Sequence, residues 1–200
     1  MNLPNQITIG RLILAVIFCA LLSNYDLRTH ARQAWMLDLC LWIFIIAALS
    51  DIVDGYLARR KNQVTSFGRI IDPFVDKVLI CSAFILLAGS NFVNEKGESV
   101  TGIEAWMVVV VIAREMLVSS LRAASEADGK AYAALAWGKL KMFVQSVTVP
   151  WVLLSLTAAT GPRWHAARTG WIWATLIVTV VSVFPYLSAA RGVLSERRRA

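Results

Sequence analysis

The sequence predicts an all-α membrane protein with six transmembrane helices, built as one integral membrane domain over residues 1–200. Three observations lead there. Hydrophobic residues make up 58% of the chain and charged ones 16%, against about a quarter charged in soluble domains. The apolar residues fall in blocks of roughly 18 to 22, the length that crosses about 30 Å of hydrocarbon as helix. The basic residues concentrate in every second loop, the pattern of a polytopic membrane protein.

The blocks place spans at about 7–24, 34–57, 73–92, 104–123, 138–158 and 170–190. The first runs straight on from Asn5 to Leu22, and Ser23-Asn24-Tyr25 lacks the small-residue pattern of a cleaved signal peptide. The net charge of +7 would suit nucleic acid, but its placement speaks for topology instead. Arg59, Arg60, Lys61, Arg69 and Lys77 surround the second loop. Lys130, Lys139 and Lys141 mark the fourth, and Arg191, Arg197, Arg198 and Arg199 the tail. The first, third and fifth loops carry only Arg28, Arg32, Lys96, Arg163 and Arg168. Both termini and the even loops are therefore expected on the cytoplasmic face of the cytoplasmic (inner) membrane, with the tail on anionic headgroups and no nucleic-acid partner. Cys19, Cys40 and Cys81 each sit inside a span without pair or ligand spacing and read as small hydrophobes. His30 and His165 fall in the loops of the opposite side, outside any catalytic role. Trp106, Trp164, Trp171 and Trp173 lie near span ends, where indole rings prefer the interface.

The informative stretch is Asp51-Ile-Val-Asp54-Gly55-Tyr-Leu-Ala58-Arg59, then eight residues, then Gly68-Arg-Ile-Ile-Asp72-Pro-Phe-Val-Asp76. On a helix, Asp51 and Asp54 share a face, and so do Asp72 and Asp76. The short polar turn from Arg60 to Ser66 makes the two segments antiparallel neighbours, so four carboxylates converge near the cytoplasmic ends of the second and third spans. An ionised Asp deep in a span costs about 2.5 to 3.5 kcal/mol. Two carboxylates about 4 Å apart repel by roughly 4 kcal/mol at an effective dielectric near 20. Such a group calls for cations. Hard divalent ions, Mg²⁺ or Mn²⁺, take carboxylate and phosphate oxygens, and two of them about 3.5 to 4 Å apart would clamp a phosphoryl displacement. Gly55, Ala58 and Gly68 lie on the carboxylate face, where bulk would block a nucleotide or a close helix contact. Arg59, two turns beyond Asp51, could pair with a pyrophosphate. For Asp72 alone there is a plainer reading, an N-cap with Pro73 at the first helical position.

This stretch resembles the signature of the CDP-alcohol phosphotransferases, D-x2-D-G-x2-A-R-x8-G-x3-D-x3-D, and meets every fixed position. Eight specified residues at about 6% each make a chance match on the order of 10⁻⁸. The resemblance implies a six-span fold and two metal ions on Asp51, Asp54, Asp72 and Asp76. It implies that Asp76 takes the proton from the acceptor hydroxyl, a choice over Asp72 that spacing alone leaves open. Gly55, Arg59 and Thr65, with Asp51, Ala58 and Gly68, would line the CDP-lipid site. The alkoxide would attack the lipid-side phosphorus of CDP-diacylglycerol, and CMP would leave. A homodimer among membrane lipids is also implied.

The signature is silent on the acceptor. Asn2-Leu-Pro4-Asn5-Gln-Ile-Thr8-Ile-Gly-Arg11 resembles the amphipathic lead-in of the phosphatidylglycerophosphate synthase branch, in which Asn5 and Thr8 would touch the nucleotide; helix capping is their plainer role. The run Ala113-Arg114-Glu115 through Arg122, followed by Trp137-Gly138-Lys139-Leu-Lys141, resembles the same branch, whose acceptor is glycerol 3-phosphate. Arg114, Arg122, Lys139 and Lys141 would form a cationic pocket for its phosphate, with Glu115 as counter-ion. For the lysines, topology-setting charge at span ends is the alternative. Val75 stands where that branch usually has Ala, a modest change in packing. The resemblance covers most of residues 1–145, and beyond Val147 no chemistry is assigned. The alternatives are a phosphatidyltransferase using phosphatidylglycerol, inositol phosphate or serine, and, from another class, a transporter with a carboxylate proton relay. The latter usually shows paired repeats with broken helices, and no repeat is visible.

Overall fold

The computed structural model describes residues 3–61, 66–127, 136–157 and 161–188; for 3–4, 30–32, 51–61, 66–70, 72–73, 126–127 and 136 the description stops at the backbone. Long apolar runs, with Gly and Pro held to a few positions, produce six helices: α1 (Leu3–Asn24), α2 (His30–Lys61), α3 (Ser66–Leu87), α4 (Ala105–Ala127), α5 (Ala136–Thr157) and α6 (Pro162–Val181). After a turn at Ser182 and Val183, helix resumes to Ser188. Pro4 and Pro162 sit in first turns, where a missing N–H costs nothing. Pro150 lies inside α5 and deprives the Ser146 carbonyl of its intrahelical donor.

Helices α1, α2 and α5, and α6 together with the helical turn that follows it, contain stretches long and apolar enough to cross a membrane: Asn5–Asn24, Gln33–Ser50, Trp137–Thr157 and Pro162–Ser188. At 22 and 23 residues, α3 and α4 match them in length, about 33 Å at 1.5 Å per residue, but they carry the ionisable groups. Asp72, Asp76 and Lys77 interrupt the first, and Arg114, Glu115 and Arg122 the second.

The core forms where α1 packs on α2 and α3, α2 and α3 on α5, α5 on α6, and α4 on α3 and α6. Ala15, Ala47 and Ala83 are wholly buried there, letting the backbones approach, and Phe18 meets Phe44 at 5.8 Å between ring centroids. The outside is apolar too. Ile13, Val16, Trp42, Ile46, Val109, Phe143, Ile177 and Phe184 are exposed around the bundle, an arrangement that lipid rewards and water penalises. The chain is a membrane protein.

Two spans, the third and the sixth, are shifted furthest from their expected limits. The third helix begins at Ser66 rather than near 73, so Asp72-Pro73 lies two turns inside α3 and is no N-cap. The same helix ends at Leu87, where loop polar groups take over its last carbonyls. The sixth begins at Pro162 rather than near 170. Arg163, His165 and Arg168, expected in a loop, therefore belong to α6; Pro162 next to Gly161 starts the helix as soon as the chain can turn.

The α1–α2 and α3–α4 connections meet at one end of the bundle. Tyr25 stacks on Phe92 at 5.1 Å, and the Asn91 amide donates to the Ser23 carbonyl at 2.8 Å. Between α3 and α4, Val93 and Ser99 form a single bridge around a turn whose Gly97 has φ 81°, a value suited to glycine. Cys19, Cys40 and Cys81 are free thiols within the helices.

Candidate active site

Helix α2 continues beyond its apolar stretch to Lys61, which carries Asp51 and Asp54 on helical backbone, and α3 starts early enough to do the same for Asp72 and Asp76. Helical spacing puts each pair on one face. The side chains of Asp51, Asp54, Ala58, Arg59 and Asp72, like the surroundings of Gly55 and Gly68, lie outside the described part, and Thr65 lies outside it altogether. Among the described residues no three His, Cys, Asp or Glu side chains form a metal-sized group.

Asp76 is described, and it borders a cleft where three helices meet. Asp76, Lys77, Ile80 and Cys81 come from α3, Glu115 from α4, and Lys141, Met142, Gln145 and Ser146 from α5. Charge is buried on one wall. Lys141 Nζ lies 2.5 Å from Glu115 Oε1, and Arg114 Nη1 reaches the same oxygen at 3.3 Å. One carboxylate thus serves two buried cations, leaving the trio net positive. Lys77 donates to Ser119 Oγ at 2.5 Å, and that hydroxyl donates to the Glu115 carbonyl.

Behind this wall stands Tyr186, wholly buried. The guanidinium of Arg114 lies 5.8 Å from its ring centroid and that of Arg122 5.2 Å. Arg122 Nη2 donates to the Tyr186 hydroxyl at 2.6 Å, while Arg114 Nε donates to Ser182 Oγ at 3.0 Å. A side chain at Gly138 would come within 3.0 Å of that hydroxyl, so the glycine makes room for the pair. Arg114 Nη2 and Arg122 Nε are buried without a partner among the described residues.

The four basic residues expected at an acceptor phosphate are thus unequally placed. Lys141 lines the cleft, Arg114 joins it through Glu115, and Arg122 joins Arg114 across Tyr186. Lys139, two residues from Lys141 on α5, is exposed on another face. On α1, Thr8 and Arg11 are buried and Asn5 is partly covered, on the side that packs against α2 and α3. Sequence reasoning gave Lys77 only a part in topology and passed over Gln145, Ser182 and Tyr186. Gln145 had a visible signal, an amide inside an apolar run one helical turn beyond Lys141. Ser182 and Tyr186 had none, because only the tertiary fold returns the end of α6 to Arg114 and Arg122.

The family described as CDP-alcohol phosphatidyltransferase matches residues 1–181. The chain belongs to this family. Among its relatives is the CDP-diacylglycerol–glycerol-3-phosphate 3-phosphatidyltransferase of Bacillus subtilis (strain 168), 35% identical over 94% of both chains. Proteins of the same name from Salmonella paratyphi A and Escherichia coli (strain K12) are 34% and 32% identical over 98% of both chains. The family match takes in all six helices, and with them the acidic signature, the cleft and the buried Arg114–Glu115–Lys141 trio of this CDP-alcohol phosphatidyltransferase.

Proposed function

We propose that this protein transfers the phosphatidyl group of CDP-diacylglycerol to sn-glycerol 3-phosphate, giving phosphatidylglycerophosphate and CMP. The observation that carries this reading is the cleft itself: Asp76, the last acid of the signature, shares it with a buried lysine backed by a second buried cation. A base and a phosphate-sized patch of positive charge in one cavity suit an acceptor with a hydroxyl at one end and a phosphate at the other. The names of the relatives support the same acceptor.

In this mechanism the acceptor's phosphate lies toward Lys141, with Arg114 and Arg122 contributing field from behind and Lys139 the least. Its hydroxyl then lies toward Asp76, which takes the proton as the oxygen attacks the lipid-side phosphorus. The bond to CMP breaks as the new oxygen–phosphorus bond forms. Asp51, Asp54, Asp72 and Asp76 offer only carboxylate oxygens, a donor set suited to Mg²⁺ or Mn²⁺. Such ions, when bound, neutralise pyrophosphate charge and stabilise the leaving CMP. Arg59, with Gly55, Ala58, Thr65 and Gly68, would hold the nucleotide, and Asn5 and Thr8 would extend that site. An acceptor panel with CDP-diacylglycerol, read by product mass, tests the reaction. Glycerol 3-phosphate should be the preferred acceptor, and faster turnover of serine or inositol phosphate would reject it.

The basic excess of the even loops supports cytoplasmic termini and an active site facing the cytoplasm at the inner membrane. A cysteine probe near Glu98 should be labelled from outside intact cells and one near Asn62 spared; the reverse pattern would overturn the orientation. The family resemblance also supports a homodimer.

A further inference from the structure

Gln145 is wholly buried in α5, and neither its Nε2 nor its Oε1 has a partner among the described residues. Buried amides are almost always hydrogen-bonded, and leaving both ends open in a low-dielectric interior is costly. The cost is unexplained by the fold. Its helix neighbours one turn to either side are Lys141, paired with Glu115, and Val149, in the apolar core. Gln145 lines the same cleft as Asp76, Lys77, Glu115 and Lys141.

We infer that Gln145 binds a hydroxyl of the acceptor substrate, the one next to the hydroxyl that reacts. The chemistry of the amide selects the ligand. A carboxamide offers a donor and an acceptor side by side. A phosphate could accept from Nε2, but its oxygens would repel Oε1. A hydroxyl donates and accepts at once and satisfies both. The cations in the cleft serve the phosphate, and Asp76 serves the hydroxyl that loses its proton. The remaining polar group of a glycerol phosphate is its middle hydroxyl, and Gln145 is the described cleft residue whose buried side-chain nitrogen and oxygen both lack a partner. The inference rests on the acceptor reading given above and adds a determinant for polyol phosphates over simple alkyl phosphates.

The test compares glycerol 3-phosphate with 3-hydroxypropyl phosphate, which lacks only the middle hydroxyl, in wild-type enzyme, Gln145→Met and Gln145→Leu. Wild type should bind the deoxy compound, read as its inhibition constant against glycerol 3-phosphate, about tenfold more weakly. Gln145→Met should raise the Michaelis constant for glycerol 3-phosphate by a similar factor and leave that for CDP-diacylglycerol within about twofold. Its affinity for the deoxy compound should change little, because the two losses are the same contact. Thermal stability in detergent should hold or rise, since an apolar side chain of similar shape removes the unpaired amide. Equal affinity of wild type for both compounds would overturn the inference even if neither variant folds. So would a Gln145→Met enzyme with unchanged constants, which would mean an amide held by water alone. Failure of wild type to use glycerol 3-phosphate at all would instead reject the acceptor reading, and the inference with it.

Discussion

At the end of the bundle where α1 turns into α2 and α3 into α4, the charged side chains Asp26, Arg28, Glu95, Lys96, Glu98 and Glu104 stay exposed, and neutral polar groups tie the loops. Thr101 donates to Leu87, Asn91 to Ser23, and Asn94 Oδ1 accepts from the amides of Lys96 and Glu98. At the opposite end, Arg114, Glu115, Arg122 and Lys141 bring charge beneath the surface, and the Gln145 amide, Arg114 Nη2 and Arg122 Nε have no partner among the described residues. The exceptions at the loop end are Arg168 beside Gly102, whose Nε and Nη1 lack partners among the described residues, and Trp151 Nε1 and Thr157 Oγ1 toward the end of α5. Burying a charge pair seldom stabilises a protein relative to apolar residues of the same shape. One end therefore closes the structure, and the other keeps a set of charges that the fold alone does not require. Changes at the two ends should separate activity from stability.

The largest effect should come from the acidic signature. Replacing Asp51, Asp54, Asp72 or Asp76 by Asn should reduce CMP release by about 100-fold or more, the scale of losing a group that stabilises transition-state charge. Membrane insertion, read by the yield of folded protein in detergent, should be unchanged. If two or more of these variants kept over about a tenth of wild-type activity, the assignment of the site would fail.

A smaller effect is expected at Arg114. Arg114 acts on the acceptor's phosphate by its field and by sharing Glu115 with Lys141, so Arg114→Ala should raise the Michaelis constant for glycerol 3-phosphate by about tenfold. The constant for CDP-diacylglycerol should change much less. Arg114→Lys should rescue in part, restoring charge without the fork that reaches Ser182 and Glu115 together. Equal weakening of both substrates would mark Arg114 as a structural partner of Glu115 and move it to the other side of the comparison.

How much of each end could be read in advance follows from the range of the interactions. The spans were legible because hydropathy is a local property, and the signature because its spacing lies within two adjoining helices. Helix starts were less so. Asp72-Pro73 has the residues of a cap, yet the helix already runs from Ser66, since a proline two turns in forfeits only one hydrogen bond. The grouping of Arg114 with Lys141 was legible as a charge pattern, but not the single Glu115 oxygen between them. Tyr186 was invisible because it meets Arg122 from 64 residues away. Lys139 and Lys141 look alike in sequence, and only helical phase separates the exposed one from the buried one.

The smallest change tests the loop end. Leu87 is the last residue of α3, and its carbonyl has no donor within the helix. Thr101 Oγ1, wholly buried, donates to it at 2.8 Å, accepts from the Ile103 amide at 3.1 Å, and lies 3.0 Å from Ser99 Oγ. Thr101→Val keeps the shape and removes the hydroxyl, leaving a buried carbonyl and amide short of a partner. Each such loss costs about 1 to 3 kcal/mol. For a chain of this size, about 2 kcal/mol lowers the unfolding midpoint by roughly 4 to 8 °C. The midpoint should therefore fall by that amount at a fixed scan rate in detergent. Both Michaelis constants and the turnover per folded enzyme should stay within about twofold of wild type, because the hydroxyl lies at the far end of α3 from Asp76. A loss of turnover with an unchanged midpoint would mean that this end of α3 communicates with the cleft, and the division between a closing end and a working end would not hold.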